Sequence, residues 1–398
     1  MINLELGSKH QETFDKLRMM AEHMMRPYSR KYDREEHTYP KEMEEVAKIL
    51  SSNRPIASAK SDPGAKGVRN GANLLSVTAY EAMCWGDVGL MLSLPGRGLG
   101  NAAISAVATP EQLKKFGGRY AAMAITEPGA GSDSANISTT AVLDGDEWII
   151  NGEKIFVTDG EHCDVVVVWA TLDKSLGKAA IKSFVVEKGT PGCEVTRLEH
   201  KLGIRASDTA AINFSDCRIP KDNILGNPEV AKNAEERKKA FGGVMQTFDN
   251  TRPPVAAMAI GVGRAALDLT REILGREGFE LSFDKNPINS SSLEAELTRM
   301  EAEWNAARLL VQRAAWMADN KMPNSKEASM CKAKAGRMGN AVTLRCVAMC
   351  SSLGYGENEL LEKFARDSKI LDIFEGTQQI QQLIVARRVL GKSSSELK

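Results

Sequence analysis

The chain has no long apolar run, no surplus of charge of either sign, few aromatics and few cysteines. Its longest stretch without a charged residue, Gly98 to Pro110, spans thirteen positions and is broken by glycine and proline. A membrane helix needs about 20 consecutive apolar residues, so no integral membrane association is expected. Lys+Arg and Asp+Glu are both 52, which leaves the formal charge at +0. A nucleic-acid-binding face needs an excess of Lys and Arg, so nucleic acid is not an expected partner. The seven cysteines are odd in number and scattered, with no C-x-x-C pair, which predicts free thiols in a reducing compartment. Cys346 and Cys350 lie one helical turn apart, but no histidine follows His200 and no second pair exists. A zinc site normally takes about four such ligands, so no metal is expected. The N-terminal MINLELGSKHQETF has no basic region followed by an apolar core, so no secretory signal is read there and a cytoplasmic location is expected.

What is present is a globular composition: 398 residues, 42% hydrophobic and 26% charged. At about 150 residues per domain this predicts two or three domains with sizeable cores. From residue 1 to 118 the text reads helical. Phe14, Leu17, Met20, Ala21 and Met24, then Met43, Val46, Ala47 and Leu50, recur at about 3.6-residue spacing. The segments SNRP, SDPGAKG and LPGRGLG mark loops between helices. Residues 119–228 carry strand grammar in EWIINGEKIFVT, DVVVVWATL, IKSFVVEK and AAINF. Asn151-Gly152 reads as a two-residue hairpin turn within the first of these. No long helix interrupts the runs, which predicts an antiparallel sheet in place of alternating βαβ units. No G-x-G-x-x-G or G-x-x-x-x-G-K stands where a doubly wound nucleotide fold would need it. Residues 229–398 return to helical spacing, with helices expected near 229–276, 288–320, 325–350 and 358–390. Trp304, Leu309, Leu310 and Trp316 are placed on one core-facing stripe. The fold class is therefore α+β, with a helical domain at 1–118, a β domain at 119–228 and a helical bundle at 229–398.

Two polar clusters are candidates for chemistry. The turn-rich run Thr126-Glu127-Pro128-Gly129-Ala130-Gly131-Ser132-Asp133 can cradle an anionic or acceptor atom with its backbone N–H groups, or it is a surface connector. Glu375 stands between the apolar Ile370-Leu371-Asp372-Ile373-Phe374 and Gly376-Thr377. A carboxylate in such surroundings is either desolvated and basic or simply exposed.

The strings AITEPGAGSD at 124–133, GEKIFVTDG at 152–160, KLGIRASDT at 201–209, TFDNTRPPVAA at 247–257 and IFEGTQQIQQLIVAR at 373–387 together resemble the acyl-CoA dehydrogenase family, in the family's order. The resemblance implies a middle β-barrel, a C-terminal four-helix bundle and FAD held between them. Ile125 and Thr126 then match positions that bond the isoalloxazine ring. Ser132, with Gly131 in the same motif, matches a position near both cofactor and thioester. Phe156 stands where the family commonly has tryptophan against the flavin, followed by Val157 and Thr158 as neighbours of the ring. Thr377 and Gln379 match cofactor-side positions beyond Glu375. Glu375 matches the base that removes the α-proton of an acyl-CoA while the β-hydrogen leaves to flavin, giving a trans-2-enoyl-CoA. Its own backbone N–H and a ribityl hydroxyl would serve the thioester carbonyl. Some relatives carry the base at the position here filled by Thr251, which cannot act as one. Asp249, Arg252, Gly376 and Arg387 match the substrate side, where Asp249 and Arg252 otherwise read as a helix-surface ion pair. The electron acceptor implied is an electron-transferring flavoprotein. An acyl-CoA oxidase or an enoyl-CoA reductase is the alternative on the same fold.

The resemblance fails where a neighbouring subunit normally closes the ADP end of FAD. Arg276-Glu277-Gly278-Phe279-Glu280 keeps Arg and Phe but lacks the family's Thr, and a glutamate facing pyrophosphate is repulsive. Ala348-Met349-Cys350-Ser351-Ser352-Leu353-Gly354 lacks the usual Gln and Gly-Gly pair. The chain is thus expected either to form a homotetramer with substituted contacts at Arg276, or to join a related subunit in a heteromer, where it is a catalytic or a non-catalytic half.

Overall fold

The structure, a computed structural model, describes residues 7–52, 71–96, 98–230, 234–283, 286–393 and 396–397, with backbone only for 234–250 and 287. Its N-terminal helices are α1 (Ser8–Met24), α2 (Ser29–Arg34), α3 (Glu42–Ser52), α4 (Ala72–Gly86), α5 (Val88–Leu92), α6 (Leu99–Val107) and α7 (Pro110–Phe116). The predicted stripes point inward at Leu17, Ala21, Met43 and Val46, all buried. α7 starts where its residues dictate: Thr109 and Gln112 form a capping box and Pro110 opens the first turn.

Seven strands follow: β1 (Ala121–Ala124), β2 (Thr140–Asp144), β3 (Glu147–Thr158), β4 (Val165–Thr171), β5 (Ile181–Glu187), β6 (Cys193–Leu198) and β7 (Thr209–Pro220). They form one curled sheet of order β1-β4-β2-β3-β7-β6, with β5 also on β4, around a core of Trp148, Ile150, Val168, Phe184, Ile212 and Phe214. Two expectations are corrected here. Asn151-Gly152 is no hairpin turn, because β3 runs straight through it with a register shift against β7. Gly152 is needed for close approach instead, since a Cβ there would lie 2.4 Å from the Thr139 hydroxyl oxygen. The turn is two residues, Gly145 and Asp146, with Asp144 paired to Glu147 and Gly145 left-handed at φ 62°. The sheet is also not wholly antiparallel: β1 pairs parallel with β4, the intervening β2–β3 hairpin giving the chain length to return in the same direction.

The remaining helices are α8 (Ala234–Arg276), α9 (Ser292–Asp319), α10 (Ser325–Met349), α11 (Ser351–Tyr355), α12 (Leu361–Ser368) and α13 (Gln378–Leu390). α8 packs against α4, α9 and α10, and α10 carries α12 and α13. One core therefore runs through both helical regions, joining Leu17, Trp85 and Val88 to Ile260, Leu297 and Trp304. Trp304 is buried and its indole N–H donates to the Ile260 carbonyl, but Leu309 is 45% exposed. Leu309 is five residues on, about 140° round the helix at 3.6 residues per turn, so it leaves the stripe. The expected helix at 358–390 is split into α12, a short 3₁₀ turn at Ile370–Asp372 and α13. The break comes at Glu375 and Gly376, left-handed at φ 54° and 94°, a conformation no α-helix can contain. Among the described residues no helix is long and apolar enough to cross a membrane.

Candidate active site

The interruption before α13 places Glu375 beside a cavity of about 310 Å³. Leu99 and Ala103 from α6, Met123 from β1 and Trp169 from β4 make much of its wall apolar, Lys182, Ser183 and Asn227 add polar groups, and Thr251 and Glu375 stand together on it. Thr377 caps α13, its hydroxyl accepting from the Ile380 N–H. The Gln381 amide donates to the carbonyls of Glu375, at 3.0 Å, and Gly376, at 3.2 Å. The Lys332 amine donates to the same Gly376 carbonyl at 2.7 Å. A positive φ at a glutamate is unfavourable in isolation, and these bonds hold it.

Burial raises the proton affinity of the Glu375 carboxyl above the ordinary carboxylate range, opposed by the Thr251 hydroxyl and by the charges of Arg252 and Lys332. Thr251 donates to Oε2 at 3.1 Å. Arg252 is 5% exposed, so its side chain does not lie at the helix surface. Gly376 is the hinge of this arrangement. At its φ of 94° a Cβ would fall 2.4 Å from the Gln381 side-chain nitrogen. Gly376→Ala is expected to cost about 1–3 kcal/mol through strain and to lower kcat more than it raises KM, as thermal unfolding and steady-state kinetics would register.

The second half of the site is built by β3 and the loop after β1. Lys154, fully buried, donates to the Ile125 carbonyl and to the Glu127 carboxylate, at 3.0 and 2.8 Å. Burial would raise Glu127, but hydrogen bonds from Lys154, Ser138 and Thr139 outweigh it and hold the carboxyl at about 2. Burial also lowers Lys154 to about 8. The Ile155 N–H closes onto the Thr126 carbonyl at 2.9 Å. This clamp pulls β3 out of register with β7 between Lys154 and Val157. The bulged residue is Phe156, left-handed at φ 58° and 59% exposed. An aromatic ring is thus held open beside the 125–132 loop.

The sequence model of the acyl-CoA dehydrogenase middle domain matches residues 122–217, and that of the C-terminal domain residues 241–390. The short-chain specific mitochondrial acyl-CoA dehydrogenase of Bos taurus is 33% identical over 98% of this chain and 92% of its own length. The chain belongs to the acyl-CoA dehydrogenase family. The acryloyl-CoA reductase (NADH) of Anaerotignum propionicum is 32% identical over 96% of this chain and 95% of that one. The butyryl-CoA dehydrogenase structure from Megasphaera elsdenii superposes with a TM-score of 0.84 at 29% identity, covering 98% of this chain and 100% of that one.

Acyl-CoA dehydrogenases are in general flavoproteins, and the residues present fit a flavin ring. Phe156 offers an open π face, and Val157 is buried behind it with Thr158 half-buried. The adjoining loop has room: a Cβ at Gly129 would meet nothing within 4 Å and one at Gly131 only Thr126, at 3.9 Å. Ser132 is exposed on that loop. Within the α13 motif, Thr377 is spent on the cap and Gln379 is exposed. Arg387 donates to the Leu397 carbonyl at 2.8 Å and is not on the cavity wall. Asp249 lies outside the residues whose side chains are described. Arg276 is paired with Glu359 at the surface, and Phe279 beyond it is half exposed.

Sequence reasoning missed Lys332, Gln381 and the Lys154–Glu127 clamp, because isolated polar residues in helices and strands read as solvated. It also did not foresee Glu36, His37 and His200 meeting with their ligand atoms within 4.8 Å. Glu36 there already accepts from Arg205 and from the Lys201 amide, and hydrogen bonds from His200, Lys201 and Arg205 outweigh burial to hold its carboxyl at about 2. That is an ion-pair network between the N-terminal helices and the sheet. All seven cysteines are free.

Proposed function

We propose that this chain is an FAD-dependent dehydrogenase that converts an acyl-CoA thioester to a trans-2-enoyl-CoA, with Glu375 as the base. The observation that carries the reading is a carboxylate of raised proton affinity, the one acid among the described residues on the wall of a largely apolar cavity, held there by a left-handed turn. The α-C–H of a thioester is a far weaker acid than a carboxyl group. A base for it gains from desolvation, which raises its basicity, and from nearby positive charge, which keeps it ionised until the substrate binds. Burial supplies the first and Arg252 and Lys332 the second. The Glu375 backbone N–H is the donor this chain offers to the thioester carbonyl, where negative charge develops as the proton leaves. The apolar walls at Leu99, Met123 and Trp169 receive the acyl chain and exclude water. Bound FAD supplies the two-electron acceptor for the β-hydrogen. Ile125, Thr126, Gly131, Ser132, Phe156, Val157 and Thr158 form the face that would hold it, with Thr377 and Gln379 on the opposite side.

In this reading the segments 1–118, 119–228 and 229–398 work as three domains. The curled sheet serves as the family's middle barrel, and α8, α9, α10 and α13 serve as its four-helix bundle. Electrons pass on to an electron-transferring flavoprotein, and the enzyme acts in the cytoplasm, in keeping with its free thiols. Asp249 and Arg387 lie toward the CoA end.

The assembly is a homotetramer closed at Arg276, or a heteromer with a related subunit. The FAD content of the protein expressed alone, with anaerobic bleaching of its flavin absorbance by short acyl-CoAs, tests both points. Bleaching is the expected result, and its failure with every chain length would refute the activity. One FAD per chain marks the homotetramer. Flavin uptake only after a related subunit is added marks the heteromer.

A further inference from the structure

Lys332 is the unexplained group nearest the proposed base. It lies on α10, is 1% exposed, and its amine donates to the Gly376 carbonyl at 2.7 Å. Among the described residues no carboxylate lies within 4.0 Å of it, unlike the other two fully buried lysines, Lys154 and Lys363, which each touch a partner acid. An ammonium buried without a contact ion pair is costly, and a hydrogen bond to one carbonyl does not require it. Gln381 already donates to that carbonyl. The charge itself therefore needs an explanation, and the acids that act on it through space are Asp372 and Glu375.

We propose that Lys332 is a positioning residue for Glu375: its ammonium clamps the Gly376 carbonyl, fixing the turn that aims the carboxylate at the cavity, and stands as a buried positive charge behind the base. The inference rests on Glu375 as the base. The groups facing this pair come from each packed element. Thr251 and Arg252 approach from α8. Asp372 comes from the 3₁₀ turn, with Lys369 3.9 Å from it. Gln378 and Gln381 come from α13, Gln378 bonding both the Ala333 carbonyl and Asp372. Burial lowers the Lys332 amine to about 8, with Arg252 adding to it and Asp372 and Glu375 opposing it. The amine is thus charged at neutral pH, and the charge counteracts the effect of burial on Glu375.

The test is the pH dependence of kcat and KM for wild type, Lys332→Met, Lys332→Gln and Glu375→Gln, loaded with FAD, over about pH 5.5 to 9.5. Removing the charge raises the proton affinity of Glu375, so the acid limb of kcat in both Lys332 variants is expected to move up by about one pH unit. Near pH 7 that is a loss in kcat of up to about tenfold, with KM changed far less. Lys332→Gln keeps a donor for the Gly376 carbonyl and is expected to recover more of the high-pH plateau than Lys332→Met. It also carries the test if the methionine variant does not fold. An acid limb unmoved in the folded variants, with or without a fall in kcat, overturns the proposal. Full activity in Glu375→Gln overturns the base assignment instead, so the two failures are distinguishable.

Discussion

Glu375→Gln is expected to lower kcat by a factor of about 10²–10⁴, the span of a positioned general base, while the protein keeps its fold and its flavin. The substitution preserves the shape of the side chain and an acceptor for Thr251, whose hydroxyl donates to Oε2 at 3.1 Å. What it removes is the group proposed to take the proton. Among the described residues no other carboxylate stands on the cavity wall, and the hydroxyl of Thr251 beside it cannot act as a base. The sign of the pH effect follows from burial. A carboxyl can act as a base only when ionised, so with Glu375 in that role wild-type kcat is expected to rise as pH passes through its raised proton affinity. A carboxyl raised in the folded state contributes stability that is complete below its unfolded pKa and is lost as pH rises through its folded value. The glutamine variant has no such loss, and its thermal midpoint is expected to equal or exceed that of wild type at neutral pH. Residual turnover near wild type would remove Glu375 from the mechanism. A lowered midpoint with unchanged turnover would make it a structural residue.

The helix, sheet, helix order was legible because each region repeats one periodicity over many residues, and the cores at Leu17, Ala21, Ile212 and Trp304 follow it. The breaks were less legible, because they depend on contacts distant in sequence. Asn151-Gly152 has the local chemistry of a hairpin turn, yet Gly152 is there to admit Thr139. Residues 358–390 carry helical spacing throughout, and only Gly376 hints at the interruption. Lys332 and Gln381 fix Glu375 from α10 and α13, and in the linear text both resemble solvated residues. The site's motifs could be quoted from the sequence, but the clamps that shape them could not.

Lys363 is a third buried lysine, and here the balance of charge is entirely structural. Its amine lies 2.6 Å from Asp87 Oδ2 and 2.5 Å from Asp367 Oδ2, with all three side chains at most 1% exposed. Each acid also holds a backbone amide with its other oxygen. Asp87 Oδ1 caps α5 through the Leu90 N–H, and Asp367 Oδ1 accepts from the Ile204 N–H. The triad thus ties the N-terminal helices, the KLGIRASDT loop and α12 together at one point. Lys363→Met leaves two carboxylates buried without a counter-charge and is expected to cost about 3–5 kcal/mol. For a chain of this size that lowers the thermal midpoint by about 4–6 °C. Adding Asp87→Asn and Asp367→Asn to Lys363→Met is expected to recover part of the loss, because neutral amides can still serve Leu90 and Ile204 as acceptors. The neighbouring acids outweigh burial and raise Lys363 above its ordinary range. Its contribution is therefore complete below the unfolded lysine pKa and is lost only as pH rises through the higher folded value. Burial raises Asp367, so the deficit of Lys363→Met narrows as pH falls toward about 4 and the stranded acids take up protons. A deficit independent of pH would mean that the lost packing of the lysine stem, and not its charge, holds these three regions together.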